Sequence, residues 1–204
     1  DELKDKLQID SFEFIRLSQD DDFINTLNLD VPSLEGFLFP DTYILLKTYT
    51  EEEIIEILVN QFTHNRRNLL KAFKPVRPMN MREITTLASI IQGEAIYDDE
   101  MPIISSVYHN RLDNNMLLQA DPTIQYIIPG KSRRLFNKDL EVDSPYNTYI
   151  YKGLPPGPIN NPGLKAIKAA IIPAETQYIY FVSNGEGRHV FTQTNEEHNQ
   201  AKLE

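Results

Sequence analysis

Apolar residues recur at helical spacing over much of the chain, most clearly between residues 51 and 73. On one face of this run lie Ile54, Ile55, Leu58, Phe62, Leu69 and Leu70. Thr50 followed by Glu53 forms a capping box before the run, and Pro75 follows it. The pattern therefore predicts one long amphipathic helix that ends near residue 73.

A second periodic run follows Asn80, which together with Glu83 forms another capping box. Its apolar positions, at the i, i+3, i+4, i+7 spacing of a core-facing stripe, are Ile84, Leu87, Ala88, Ile91 and Ala95. We therefore expect a second helix with one face in the core.

Glu94 is the only carboxylate in the apolar segment 88–95. At about 100° per residue it projects between Leu87 and Ile90, while Gln92 points roughly 160° away from it. A carboxyl held against apolar side chains has a raised pKa, which suits a proton donor near neutral pH. The simpler alternative is that Glu94 lies in a frayed last turn and faces water.

The remaining patterns predict an α+β fold, in which a helical lead-in precedes several helices packed beside a small antiparallel sheet. Short helical patterns occupy residues 12–17, 23–27 and 103–112, and a further short helix is predicted over 123–128. Another helix is predicted to start at Asn161-Pro162, with Leu164, Ile167, Ala170 and Ile171 on one face. Two strands, at 178–182 and 189–192, are joined by the hairpin signal Asn184-Gly185-Glu186-Gly187. Between residues 117 and 162 the chain is rich in proline, asparagine and tyrosine, which indicates stiff loops of the kind that carry functional sites.

Composition narrows the classes of function. The formal net charge of -10 argues against nucleic acid as a partner, because phosphate binding needs clustered lysine and arginine. The chain has no cysteine, and its four histidines lack metal-ligand spacing, so we expect neither a metal nor a cofactor. No stretch approaches the roughly 18 apolar residues of a membrane span. Because the chain starts at Asp1 without a signal-like run, we expect a fragment or a processed form.

One raised-pKa acid among polar and aromatic loop residues suits proton transfer to a sugar oxygen. Glycosidases with two carboxylates need a second acid, for which Asp121 and Asp143 are the nearest candidates. Each also has a simpler interpretation. Asp121 precedes Pro122 and would cap the helix predicted over 123–128, and Asp143 would close a turn.

In their order along the chain, a set of short motifs resembles the YceG-like (MltG) family of endolytic murein transglycosylases. The motifs are LEG and PDTY within residues 34–43, ASII and EA within 88–95, NRL at 110–112, LQADPT at 118–123, YNTY at 146–149, GLPPGPI at 153–159, NPG at 161–163, YFV at 180–182, HVF at 189–191 and HN at 198–199. Each piece is weak alone, but coincidence does not explain so many in register. The resemblance covers about residues 30–200.

The resemblance implies a domain organisation and a place of action. Residues 1–48 would be a helical lead-in left from a LysM-like subdomain, and residues 49–204 the catalytic domain. The full-length protein would have a single membrane anchor before Asp1 and act at the extracytoplasmic face of the bacterial cytoplasmic membrane. Its partners would be peptidoglycan glycan strands and a penicillin-binding protein or other wall synthase.

The resemblance also implies a reaction, which is cleavage of the MurNAc-GlcNAc β-1,4 bond to leave a 1,6-anhydro-MurNAc end. Glu94 would act first as general acid and then as base. The residues expected to hold or contact the glycan are Gln119, Tyr146, Asn147, Arg111 and Asp121.

Position 92 leaves an alternative open. Many relatives have Glu at the position of Gln92 as well as at that of Glu94, so the motif alone does not decide which acid is the catalyst. If the working acid belongs at 92, this chain is a natural inactive variant or carries a deliberate Glu→Gln substitution. The protein would then be a glycan-binding scaffold that recruits wall synthases without catalysis.

Overall fold

The computed structural model describes residues 9–203, and residues 1–8 of the predicted lead-in lie outside it. In this part of the chain there are eight α-helices: α1 (Ser11–Leu17), α2 (Asp21–Thr26), α3 (Glu51–Ala72), α4 (Met81–Glu94), α5 (Met101–Asp113), α6 (Asp121–Ile127), α7 (Leu164–Ile171) and α8 (Asn195–Ala201). Two short 3₁₀ helices span Asp98–Glu100 and Asn137–Glu141, and strands β1 (Tyr180–Ser183) and β2 (His189–Thr192) pair antiparallel. The α+β class predicted from the sequence is confirmed.

The two longest helices begin where the capping boxes predict. Thr50 accepts a hydrogen bond from the Glu53 amide and Asn80 accepts one from the Glu83 amide, and each glutamate bonds back to the amide of its cap residue. These reciprocal bonds satisfy amides that have no partner within the helix. Both helix starts are thus fixed by local sequence.

Helix α4 lies at the centre of the core and packs against α5, α6 and α7. Its residues from Ile84 to Ile91 are all buried. Helix α5 is joined to α7 by two buried hydrogen bonds, in which the Ser105 hydroxyl donates to the Ala169 carbonyl and His109 Nε2 contacts that of Ala170. The turns of α4 that precede Glu94 are therefore enclosed by neighbouring helices, while its last three residues are more accessible.

The described part of the lead-in shares this core. Leu17, Ile24 and Leu34 are buried in the same apolar cluster as α3 and α4. The Asn161 side chain accepts hydrogen bonds from the amides of Gly36 and Leu38, which joins the lead-in to the loop before α7. The predicted domain boundary between residues 48 and 49 remains a prediction, and no separate core marks it within residues 9–203.

The C-terminal hairpin forms close to its predicted position, with Tyr180 opposite Thr192 and Ser183 opposite His189. Gly185 and Gly187 both have positive φ, which their lack of a Cβ permits in the tight connection. Helix α8 then packs against both strands. The sequence patterns considered above did not predict this last helix.

Two other boundaries differ from the predictions. Helix α6 begins at Asp121 instead of Thr123, so Asp121 is its first residue and not its cap. Helix α7 begins at Leu164, since the Asn161 side chain bonds to the lead-in rather than to the start of α7. Over residues 9–203, no helix combines the length and apolar character needed to cross a membrane.

Candidate active site

Glu94 is the last residue of α4 and lies beside the start of α6. The two helices approach closely because position 93 is glycine. A Cβ at Gly93 would lie only 2.7 Å from Cβ of Pro122. This contact places Asp121, which precedes Pro122, at the same cleft as Glu94.

The cleft has a volume of about 470 Å³, and we call it the Glu94 cleft. Its lining includes Glu94, Arg111, Gln119, Asp121, Tyr149, His189 and His198. It therefore joins the end of α4, the loop before α6 and the C-terminal hairpin with α8. Four of the six residues predicted from the sequence line it, namely Glu94, Arg111, Gln119 and Asp121.

The pKa of the Glu94 carboxyl is raised to about 7, mainly because the surrounding protein removes it from water. The Tyr108 hydroxyl donates a hydrogen bond to Oε1 at 2.6 Å and opposes this rise. The nearby Asp121 charge raises the pKa further, whereas the Arg111 charge lowers it. Glu94 remains partly accessible from the cleft, so its proton can reach a ligand.

Asp121 is exposed to the cleft and accepts a hydrogen bond from the Tyr149 hydroxyl. Burial, followed by this bond and the Asp121 charge, raises the pKa of the Tyr149 phenol far above its ordinary value. Tyr149 is thus a neutral hydrogen-bond donor at the cleft wall.

The loop that carries Gln119 is fixed by Thr148. The Gln119 amide donates to the Thr148 carbonyl at 3.0 Å, and the Ala120 amide donates to the Thr148 hydroxyl at 2.9 Å. Gln119 has φ 48°, in the left-handed region that non-glycine residues seldom adopt. Its exposed side chain is therefore presented to the cleft by a strained and well-anchored backbone.

Arg111 is buried and mainly holds backbone in place. Its Nε donates to the Ile179 carbonyl at 2.7 Å, its Nη1 donates to the Leu118 carbonyl at 2.7 Å, and its guanidinium lies over the Tyr180 ring. It thereby ties α5 to both the Gln119 loop and the hairpin. Its positive charge at the cleft lies near Glu94.

Tyr146 and Asn147 do not line the Glu94 cleft. Asn147 is fully buried, and its amide nitrogen donates to the carbonyls of Leu140 and Val142 while its oxygen accepts from the Tyr149 amide. The Tyr146 ring packs against that of Tyr126, with 5.0 Å between centroids. Neither side chain therefore lies at the Glu94 cleft, and their contact with the glycan stays a prediction.

Gln92 lies away from the Glu94 cleft, as the helical angle predicts. Its Oε1 accepts a hydrogen bond from the Gly163 amide at 3.1 Å, just before α7. Its side chain lines a different cavity of about 430 Å³, together with residues such as Asp98 and Lys165. Gln92 thus contacts the backbone before α7 and does not lie beside Glu94.

Several residues that line the cleft or bond to its carboxylates were not singled out from the sequence. Tyr108 and Tyr149 contact the two carboxylates, and His189 and His198 form part of the opposite wall. Tyr149, His189 and His198 lie in the family-like motifs YNTY, HVF and HN, which was the available signal. Tyr108 is an ordinary apolar position of α5 by its pattern, so only the packing reveals its contact with Glu94.

A larger cavity of about 840 Å³ lies against the other face of α5, with Ser106, His109 and Asp113 in its lining. Its polar groups are largely paired with each other or with backbone: Arg77 with Asp113, Ser106 with Thr176, and Asn110 with the Thr176 and Tyr178 carbonyls. It does not include Glu94. We therefore place the candidate chemistry in the smaller cleft.

No group of three or more histidine, aspartate or glutamate side chains that could hold a metal ion occurs in the described part of the chain. The cleft chemistry available to the residues themselves is proton transfer by Glu94 and hydrogen bonding by Gln119, Tyr149 and the histidines.

Comparisons with known proteins agree with the resemblance noted in the sequence. The endolytic murein transglycosylase of Bacillus subtilis is 37% identical over 98% of this chain and 59% of its own length. That of Streptococcus pneumoniae (strain D39) is 32% identical over 81% of this chain and 31% of its own length. The chain thus spans between about a third and three fifths of these relatives.

A solved structure of a yceG-like protein from Listeria monocytogenes superposes with a TM-score of 0.85 at 34% identity, covering 99% of this chain and 70% of that one. The YceG-like family itself matches residues 1–204. With both sequence and fold in agreement over the described helices and hairpin, the chain belongs to the YceG-like family.

Proposed function

We propose that this chain is the catalytic part of an endolytic murein transglycosylase. It cleaves the MurNAc-GlcNAc β-1,4 bond within a glycan strand. Glu94 gives its proton to the leaving O4 as the C1–O4 bond breaks. The muramyl C6 hydroxyl then bonds to C1 and returns its proton to Glu94. The atoms balance without water, and the products are a 1,6-anhydro-MurNAc end and a free GlcNAc O4 hydroxyl.

The observation that carries the proposal is the Glu94 carboxyl itself, with a pKa of about 7 in an open cleft. A general acid works best when its pKa lies near the operating pH, because it then keeps its proton and still releases it readily. Tyr108 stabilises the carboxylate that forms when the proton leaves. The names of the relatives from Bacillus subtilis and Streptococcus pneumoniae support the same substrate and reaction class.

Asp121 is the residue that a hydrolase would use as a second acid, since it lines the same cleft. Its hydrogen bond from Tyr149 and its effect on the Glu94 pKa support a different role, which is to keep Glu94 protonated before the reaction. In this scheme the Gln119 amide bonds to the sugar, and the Tyr149 oxygen accepts a hydrogen bond from a sugar hydroxyl while its own proton stays on Asp121.

The scaffold alternative rests on Gln92 being the lost catalyst. Since Gln92 bonds to the Gly163 amide and lines another cavity, no feature of the Glu94 cleft favours that alternative. A glutamate at position 92 would point toward the same backbone amide.

The proposed substrate lies outside the cytoplasmic membrane, so we place the activity at its extracytoplasmic face. A membrane anchor and a wall synthase partner, both implied by the family resemblance, remain predictions.

The experiment is digestion of purified, uncrosslinked glycan strands followed by mass analysis of the new ends. The chain should release internal fragments with 1,6-anhydro-MurNAc ends. Glu94→Gln, which keeps the size of the side chain, should lower the rate by about 10²- to 10⁴-fold, the usual worth of general acid–base catalysis.

Gln92→Glu is the matched control and should leave the rate unchanged. Reducing MurNAc ends would identify a hydrolase and reject the anhydro mechanism. Activity that appears only in Gln92→Glu would reject Glu94 as the acid and support the scaffold alternative for the natural chain.

A further inference from the structure

The mechanism above does not use His189, which lines the Glu94 cleft and is paired with Glu100. His189 Nδ1 lies 3.0 Å from Glu100 Oε2, and the His189 backbone amide donates to Glu100 Oε1 at 3.0 Å. Both side chains are largely buried, with 10% and 7% of their surfaces exposed. His189 nevertheless lines the cleft.

The contact with Glu100 decides which ring nitrogen carries the proton of neutral His189. A carboxylate oxygen can only accept a hydrogen bond, so the proton lies on Nδ1. Nε2 then has a free lone pair. Within residues 9–203, Nε2 has no hydrogen-bond partner, and the protein does not enclose it completely. It is therefore available to a ligand in the cleft.

The surroundings hold the ring rigidly. The rings of Phe181 and Phe191 pack against it, with centroids 5.2 Å and 6.1 Å away. Arg188 pairs with Asp99 and lies near Glu100, which balances the buried carboxylate. A ring held on one edge by a carboxylate and on its sides by aromatic rings presents its remaining nitrogen in one direction only.

We propose that His189 is a substrate-binding residue whose Nε2 accepts a hydrogen bond from a sugar hydroxyl in the Glu94 cleft, with Glu100 as the residue that positions it. The inference rests on the proposed function for the identity of the ligand as a glycan. It assigns the hairpin, as well as α4 and the Gln119 loop, a direct part in substrate binding.

Two substitutions separate binding from a purely structural role. Asparagine places its amide where Nδ1 lies, so His189→Asn keeps a bond to Glu100 and loses the atom that faces the cleft. Glutamine reaches the position of Nε2, so His189→Gln keeps a polar atom at the cleft. Both are made in the Glu94→Gln background, in which the glycan is bound but not cut.

The probe is a GlcNAc-MurNAc tetrasaccharide, with affinity measured by calorimetry and fold checked by thermal unfolding. His189→Asn should weaken binding about tenfold, the worth of one hydrogen bond, whereas His189→Gln should stay within about threefold. Equal affinity of His189→Asn and its parent would overturn the proposal. So would an equal loss in both variants accompanied by an equal fall in melting temperature, because that result identifies a structural anchor.

Histidine ¹⁵N NMR distinguishes the two roles, because a purely structural His189 would show no change in its Nε2 chemical shift when the sugar binds. Adding the tetrasaccharide to the Glu94→Gln protein should shift the Nε2 resonance of His189 and leave Nδ1 nearly unchanged. An unperturbed Nε2 resonance at saturating sugar would reject the contact.

The result is separable from the proposed chemistry. If the natural chain fails to produce anhydro ends but the sugar binds and shifts Nε2, the transglycosylase mechanism fails and the His189 contact stands. If anhydro ends form and the Nε2 resonance does not move, only the His189 inference fails.

Discussion

The Tyr108 hydroxyl donates a 2.6 Å hydrogen bond to Oε1 of Glu94 from within the core. The phenol is completely buried, and burial together with the Glu94 charge raises its pKa well above the ordinary value. Tyr108 therefore remains a donor over the whole physiological range. It favours the ionised form of Glu94 against the desolvation that favours the neutral one.

Replacing Tyr108 with Phe should raise the pKa of Glu94 above about 7, because the bond that lowers this pKa is removed. Since the proposed reaction starts from protonated Glu94, we expect the rate to fall as pH rises through that pKa. The alkaline limb of kcat/KM should therefore move to higher pH in Tyr108→Phe. A limb that stays in place or moves to lower pH would contradict the assigned contact.

Asp121→Asn should have the opposite effect. The Asp121 charge raises the pKa of Glu94, so its removal lowers this pKa and moves the alkaline limb to lower pH. The asparagine can still accept the hydrogen bond from Tyr149. Measuring kcat/KM for both variants under one set of buffers makes each the control for the other, and a shift of both in the same direction would refute the electrostatic assignment.

Glu94 should cost the protein stability at neutral and alkaline pH. The pKa of Glu94 in the folded protein, about 7, lies above its ordinary value of 4.5, so the unfolded chain loses this proton at lower pH than the folded one. Below about pH 4.5 the carboxyl is protonated in both states and does not lower the free energy of unfolding. As pH rises from there toward 7, the unfolded chain loses the proton first, and the free energy of unfolding falls. Urea unfolding should therefore show Glu94→Gln more stable than the natural chain at pH 8 by on the order of 3 kcal/mol.

At pH 4 the two proteins should have nearly equal free energies of unfolding, because both then carry a neutral group at this position. A difference that is the same at both pH values would mean that packing, and not ionisation, separates them.

Asn147 and Gln119 should behave differently although both carry amides near the cleft. Asn147→Ala leaves the Leu140 and Val142 carbonyls and the Tyr149 amide without their partner and should cost about 2–4 kcal/mol of stability. Gln119→Asn keeps a residue that tolerates positive φ and should change stability by less than about 0.5 kcal/mol. In glycan-binding assays the order should reverse, with the larger loss in Gln119→Asn.

Much of the fold follows from local signals in the sequence. The starts of α3 and α4 are set by Thr50 with Glu53 and by Asn80 with Glu83, which act over three residues and can be identified without any tertiary information. Helix α8 carries the same kind of signal in Thr194 and Glu197 but was not predicted, since its short polar sequence lacks an apolar stripe. The start of α7 could not be predicted, because Asn161 bonds to residues 125 and 123 positions earlier in the chain.

The site was predictable to a smaller extent. The apolar spacing around Glu94 correctly indicated a raised pKa and separated it from Gln92. The role of Asn147 could not be read in this way, because its three hydrogen bonds depend on the path of a proline-rich loop. The contact between Glu100 and His189 spans 89 positions and has no local signature.

The hairpin and α8 come from the last part of the chain, and they form one complete side of the Glu94 cleft. During synthesis Glu94 is made more than 80 residues before Phe181 and the two histidines of that side. The growing polypeptide therefore contains its acid long before the residues of this side of the cleft have been made. The proposed activity therefore needs residues 180–202 as well as the acid, so a chain that stopped before Tyr180 would keep Glu94 and lose this side of the cleft.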